Sequence, residues 1–312
     1  MWGWGVRPTM TQETKLVKKV KGLVRRAGLP RWLHRFGPKK YEFWQHALAL
    51  LIKQECRLGY RRVSNLLNWL GFETPTYSAL AKMLKRIKAS IWQNLLKMTN
   101  CQMLNIVALD GTGMSRPLPS PYFYKRIDKP YPVEVPLKVS FAVDTRSKKI
   151  LSLRFRAKYA NDIKDAGYLI NHLPSAPKKV VADKGYDAEW LHQLCKDKGA
   201  LAIIPARRYG TRISGFTLRR KCAENFNMRI YHRREMAESV FSATKRKFGA
   251  SVSSLSAHTM RAEIYCRAIA HNIISLFCRT FSTQPPVGKK IYKLIYLSFL
   301  YGKASCRCRP VL

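Results

Sequence analysis

Eighteen acids stand against 58 Lys and Arg in this chain of 312 residues, so each carboxylate can be weighed singly. Asp110 closes an apolar run, IVALDG, and Asp183 repeats the arrangement in KVVADKGY. A carboxylate there is costly to ionise when buried alone, because desolvation disfavours the charged form. Gly111 after the first lets the backbone turn and approach a ligand closely. If the two runs are neighbouring strands, both acids face one rim of a sheet, where like charges repel unless a cation lies between them. Oxygen-only ligands favour Mg2+ or Mn2+. The plain alternative is a pair of strand-end turn residues, since Asp-Gly is a common turn dipeptide.

A third carboxylate comes from helix geometry. In YHRREMAESVFSATKRKFG (231–249), Tyr231, Arg234, Glu238 and Lys245 recur at i, i+3, i+7 and i+14. At ~100° per residue the four lie within about 60° of one another on one helix face. Met236 and Val240 lie roughly opposite, placed to pack on a sheet. One acid flanked by an aromatic and two cations suits a metal ligand beside a phosphate track. The plain alternative is an i,i+4 Arg–Glu surface pair, worth only ~0.2–0.5 kcal/mol.

The remaining candidates are weaker. Glu235 and Glu224 compete for the place of the third acid. Asp144 suits a turn before Arg146, Asp187 a helix cap before Ala188, and Asp165 a supporting place on its helix. The eight Cys contain no CxxC pair and the seven His show no metal spacing, which argues against zinc. Most Cys fall in apolar helical stretches and are expected as reduced core residues.

These side chains need elements to carry them. Residues 1–40 hold eleven Lys and Arg and one acid, and are expected to form a basic arm with a helix over 14–26. From about 40 to 99 the pattern is helical: 41–57, 60–70 ended by Gly71, and 77–88 capped by Thr76. Helix, Gly turn, helix resembles a helix-turn-helix, its second helix exposing Lys82, Lys85, Arg86 and Lys88. A plain three-helix bundle is the alternative. Near 102 the period changes: strands are expected over 103–113, 137–145, 148–159, 178–186 and 200–207. Helices are expected over 161–173 (capped by Asn161), 188–199, 232–248 and 260–281, with a basic loop over 207–230. Three strands followed by alternating strand and helix mean an α/β fold, a mixed sheet with helices packed on it. The segment 284–312 is a basic tail.

The balance of charge, +40, repels itself in any compact state and calls for a polyanion. Nucleic acid is the abundant one, and counterion release would drive its binding. A thermophilic surface would add Glu along with Lys. No apolar run approaches the ~18 residues of a membrane helix, and the N-terminus lacks a signal-peptide apolar region, so a soluble intracellular protein is expected.

The combination is more specific than its parts. Tyr231-x2-Arg234-x3-Glu238-x6-Lys245 resembles the signature of the DDE transposases of prokaryotic insertion sequences. ALDGTG around Asp110 and ADKGYDAEWL around Asp183 resemble that family's first two catalytic blocks, and AVDT and YANDIKDAG its intervening strand and helix. The resemblance spans roughly 41–281. It implies an RNase H-like catalytic domain over 101–283, after a helical DNA-binding domain over 41–100. It implies that Asp110, Asp183 and Glu238 are the catalytic, metal-binding triad, and that Tyr231, Arg234 and Lys245 hold element-end DNA. Also implied are two Mg2+ or Mn2+ ions with no organic cofactor, metal-dependent cleavage and strand transfer, and double-stranded DNA as partner. A DNA-bound homodimer, a cytoplasmic, nucleoid-associated location and no membrane partner complete the expectation. The alternatives are an RNase H-like structure-specific nuclease, an inactive copy serving only as a basic DNA-binding protein, and an RNA-binding ribosomal accessory protein.

Overall fold

Apolar residues at helical spacing build the first part of the chain as helices α1 (Gln12–Arg26), α2 (Phe43–Glu55), α3 (Tyr60–Trp69), α4 (Tyr77–Arg86) and α5 (Ala89–Lys97). The computed structural model describes residues 12–33, 36, 39–100, 102–117, 120–128, 130, 136–158, 160–207 and 217–280. α1 buries Val20, Leu23 and Val24 and packs on α2, and Asn94 of α5 donates to the Ala27 carbonyl at 2.8 Å. α3 and α4 pack through Val63, Leu67 and Leu80. Their connection turns at Gly71, whose φ of 81° is the left-handed conformation that favours glycine. Thr76 caps α4, accepting from the Ala79 amide, and Lys82, Lys85, Arg86 and Lys88 are exposed as expected. α5 is a helix beyond the three anticipated over 40–99.

A five-stranded sheet follows, in the order β3-β2-β1-β4-β5. Its strands are β1 (Ile106–Met114), β2 (Leu137–Asp144), β3 (Ile150–Arg156), β4 (Lys179–Ala182) and β5 (Leu201–Ile203). β1 and β2, and β2 and β3, are antiparallel, whereas β4 and β5 continue parallel to β1. Between them lie α6 (Pro121–Arg126), α7 (Ile163–Asn171), a 3-10 turn Lys184–Tyr186 and α8 (Glu189–Asp197). Beyond β5 come α9 (Thr217–Glu224), α10 (Met228–Tyr231), a 3-10 turn His232–Arg234, α11 (Glu235–Phe248) and α12 (Ala257–Thr280). This is the mixed, helix-flanked α/β core preceded by an all-helical region that the sequence predicts. Residues 1–273 form one unit; of 274–312 only 274–280 is described, and the expected basic tail lies outside the described residues.

Side-chain alternation assigns the two faces of the sheet. Asp110 pairs with Phe141 across β1 and β2, so their side chains share a face, and Phe141 stacks on Phe241 of α11 at 4.5 Å. Gly111 pairs with Ser140 on the opposite face, where Ser140 donates to Asp165 of α7 at 2.8 Å. That second face, with Val107, Leu109, Ala142 and Val180, packs on α7 and α8 around Leu169, Leu191 and Cys195.

Several boundaries differ from the sequence expectation. β1 runs on through Gly111 to Met114, so Asp110 lies within a strand and Gly111 makes no turn. β4 stops at Ala182 because Asp183 caps the 3-10 turn, accepting from the Lys184 amide at 2.7 Å. α7 starts after Asp162, and no side chain caps it, Asn161 included. Part of the expected loop over 207–230 is helix α9, while 208–216 lie outside the described residues. Of the cysteines described, Cys195 and Cys266 are buried, but Cys56 is exposed and Cys222 half-buried.

Candidate active site

Two neighbouring parallel strands bring the first two acids together. Leu109 of β1 lies beside Ala182 of β4, so Asp110 and Asp183 each follow one step later. Leu109 and Ala182 both belong to the core under α7 and α8. The next residue along an extended chain points the other way, so both acids leave on the α11 side. Asp110 is recessed, its side chain 18% exposed, and Asp183 is exposed at the strand end.

The third element is the segment that the sequence reads as one continuous helix. It is α10, a 3-10 turn and α11 in succession, with helical backbone angles throughout. A 3-10 turn advances ~120° and ~2 Å per residue, tighter than the α-helix on either side. That tightening lies against β1 and β4, where Tyr231 and Arg234 sit. α11 then packs over β1 and β2 through Ala237, Val240 and Phe241. Val240 is buried as expected, whereas Met236 is only half-buried.

Arg234 is the hub of the site. Its guanidinium stands 2.7 Å from Glu238 Oε1 and 3.8 Å from Asp110 Oδ2. Burial works against its charge, but Glu238, Asp110 and Asp183 together hold the proton more firmly than usual. The Tyr231 hydroxyl donates to Asp183 Oδ1 at 3.4 Å. Burial lifts the Asp110 carboxyl to about 6, with smaller opposing effects from the Gly111 amide and Arg234 and further raising by Glu238 and Asp162. Asp110 Oδ1 accepts from the Gly111 amide at 2.9 Å. The structure therefore brings Tyr231, Arg234, Asp110, Asp183 and Glu238 to one face. Lys245 lies two turns further along α11 and forms no ion pair with a carboxylate among the described residues.

The other acids serve elsewhere. Glu235 is exposed, 3.6 Å from His232, and does not join the cluster. Asp144 accepts from the Arg146 and Ser147 amides, the turn expected of it. Asp187 does not cap α8. It is fully buried and ion-paired with Arg219 of α9, and it accepts from the Arg207 amide at 2.7 Å. Arg207 also donates to the Lys184 and Gly185 carbonyls, both at 3.0 Å, bracing the turn that follows Asp183.

Asp162 escaped the sequence reading. Its Oδ1 pairs with Lys138 Nζ at 2.6 Å and would lie 2.5 Å from a Cβ at position 111. Gly111 thus makes room for a carboxylate on the far face of β1. The signal available was the Asn161-Asp162 pair just before a helix, which local rules assign to capping.

These acids fit a hard divalent cation by type: the donors are carboxylate oxygens alone, and two of the three are exposed enough to reorient. Among the described residues no three His, Cys, Asp or Glu side chains already converge into a ligand set. Two of the three acids touch Arg234, and the third attracts it at longer range.

A model of the transposase DDE domain family matches residues 102–273, more than half of the 312. The chain belongs to that family. Transposases with this domain generally use divalent metal ions. The matched span of this DDE transposase runs from just before β1 into α12 and holds all six candidate residues. No curated protein matches the chain by sequence. Among solved structures, piggyBac transposase in a synaptic complex with hairpin DNA is similar over 90% of this chain and 82% of that one, at 8% identity and a TM-score of 0.37.

Proposed function

We propose that this DDE transposase binds the ends of an insertion sequence and carries out metal-dependent strand cleavage followed by strand transfer. The observation that carries this reading is the β1–β4 register, which sets Asp110 and Asp183 side by side beneath the turn that presents Arg234 and Glu238. Asp110, Asp183 and Glu238 would hold Mg2+ or Mn2+, by the family's pattern two ions. A divalent ion bound there supplies Lewis-acid polarisation of the scissile phosphate and activation of the attacking hydroxyl.

The chain's own residues position the substrate. Arg234 offers a planar fork suited to a phosphate, Lys245 a point charge two turns away, and Tyr231 a hydroxyl beside Asp183. The net charge of +40 supports double-stranded DNA as the partner. In this reading residues 41–100 bind DNA, with α4 as the reading helix, and 101–283 carry the chemistry. The arm over 1–40 and the basic stretch over 207–230 add phosphate contacts. Two copies hold the two ends, as a homodimer acting on chromosomal DNA in the cytoplasm.

The test is cleavage of a supercoiled plasmid carrying the gene with its flanking DNA, in Mg2+. Asp110→Asn, Asp183→Asn and Glu238→Gln are each expected to bind the plasmid as wild type does and to leave it uncut. Metal-dependent cutting that persists in Asp110→Asn would overturn the assignment. Arg234→Ala should weaken binding and reduce its salt dependence by about one phosphate contact.

A further inference from the structure

Arg234 does more in this structure than a surface partner of Glu238 would. An i,i+4 pair on an exposed helix face has no reach to a strand. Here the 3-10 turn swings Arg234 over β1 and β4, and its side chain is only 21% exposed. One guanidinium nitrogen meets Glu238 Oε1 at 2.7 Å while another faces Asp110 Oδ2 at 3.8 Å. Asp183 adds attraction, and Tyr231 bridges towards both, its hydroxyl interacting with Asp183 and with Arg234. The oxygens on which Arg234 sits are those a divalent ion would need. A divalent ion on these carboxylates would stand beside the guanidinium charge, and like charges in a half-buried site repel strongly.

We propose that Arg234 is the resident counter-cation of the acidic cluster, which a divalent ion must displace, and that DNA promotes this exchange by offering Arg234 a phosphate. The inference rests on the reading of Asp110, Asp183 and Glu238 as metal ligands. A phosphate oxygen pair matches the guanidinium fork as well as a carboxylate does, and the side chain is already at the rim of the site. Once its guanidinium moves to the phosphate, Glu238 is freed to turn towards Asp110. Binding of DNA and binding of metal are then linked, each tightening the other by the same factor. The linkage suits a transposase, because the cutting centre is assembled only where DNA is already held.

The experiment measures Mn2+ affinity of the full-length protein by the loss of the free-ion paramagnetic resonance signal. Wild type, Arg234→Gln, Arg234→Lys and Asp110→Asn are each titrated alone and with a short duplex of arbitrary sequence. The Asp110→Asn complex supplies the background of ions held by DNA itself. Without DNA, Arg234→Gln is expected to bind Mn2+ on the order of tenfold more tightly than wild type, within the ~5–150-fold range of ordinary coupling. The duplex should tighten wild type and leave Arg234→Gln nearly unchanged. Arg234→Lys, which keeps a cation but not the fork, should fall between them and decides the matter if the Gln variant fails to fold. Affinity no tighter in Arg234→Gln and Arg234→Lys than in wild type, with binding lost in Asp110→Asn, would overturn the exchange and leave the metal site standing. Equal Mn2+ binding by wild type and Asp110→Asn would remove the metal site and the exchange with it.

Discussion

The Tyr231 hydroxyl donates to Asp183 Oδ1 across 48 residues of sequence, tying the end of α10 to the residue that follows β4. At 3.4 Å the bond is long for a hydroxyl donor, so its share of the site is small. Tyr231→Phe should therefore lower strand cleavage by about tenfold or less, in line with ~0.5–1.5 kcal/mol for one such bond. Gel-based cleavage rates for Tyr231→Phe and Asp183→Asn make the comparison. A loss as complete in the Phe variant as in the Asn variant would show that Tyr231 acts on the reacting groups themselves.

Asp110 links function to a stability cost. Burial raises its carboxyl to about 6 in the folded chain, against ~3.9 for an unfolded Asp. A raised acid pKa means that the folded state holds the proton more tightly. The associated stability is present below about pH 4 and is lost as pH climbs through about 6. Asn at this position carries no charge to desolvate. In a metal chelator, Asp110→Asn should match wild type near pH 4 and exceed it at pH 8 by on the order of 2–3 kcal/mol, at ~1.4 kcal/mol per unit. Urea unfolding at the two pH values measures it. An Asn variant less stable than wild type at pH 8 would mean that the carboxylate gains more from Arg234 and Gly111 than burial takes away.

Gly111 has a stability role that its place beside Asp110 disguises. An added methyl would meet Asp162 Oδ1 at 2.5 Å and push it from Lys138. Gly111→Ala should cost about 1 kcal/mol or less, because the Asp162 carboxylate is the half-exposed end of a flexible side chain that can turn away at the loss of its pair with Lys138. Asp162→Ala in the same chain should absorb part of that cost, so that the two changes together fall short of their sum. Strict additivity in thermal unfolding would place the damage in the strand backbone instead.

A buried i,i+4 ion pair lies within α12. Glu263 and Arg267 are 1% and 5% exposed and meet at 2.7 Å. Arg267 also donates to the Gly249 and Ser251 carbonyls beyond α11, at 3.0 and 2.7 Å. Arg267→Met leaves the Glu263 carboxylate buried without its cation and should cost about 3–5 kcal/mol. Adding Glu263→Gln should return part of that stability, and no recovery at all in the double variant would show that the carbonyl contacts dominate.

Local patterns made much of this legible. The three helices α2, α3 and α4 and the strands β1, β2 and β3 stand within a few residues of their expected places, because short apolar runs and 3.6-residue periodicity are properties of neighbouring residues. α9 carries little apolar signal of its own. α9 is held at its start by Glu189, which accepts from the Leu218 and Arg219 amides, and by Asp187 on the Arg219 side chain. Such contacts join positions about thirty residues apart, beyond the reach of any local window. The break of the 231–249 helix into two α segments and a 3-10 turn is likewise set by what lies beneath it.

Residue order alone settled which side chains this transposase could bring to bear: two acids after apolar runs, and an aromatic, two cations and a third acid at helical intervals. It also settled which residues of one strand share a face, so that Asp110 and Leu109 point opposite ways wherever β1 pairs. Only the packed chain decided that β4 lies beside β1, that Asp162 fills the space of the missing Gly111 side chain, and that Arg234 stands among the three acids. The reason is physical. Periodicity is encoded between neighbours a few residues apart. Which face meets which, and which cation settles on which carboxylate, depends on burial and charge summed over elements far apart in the chain.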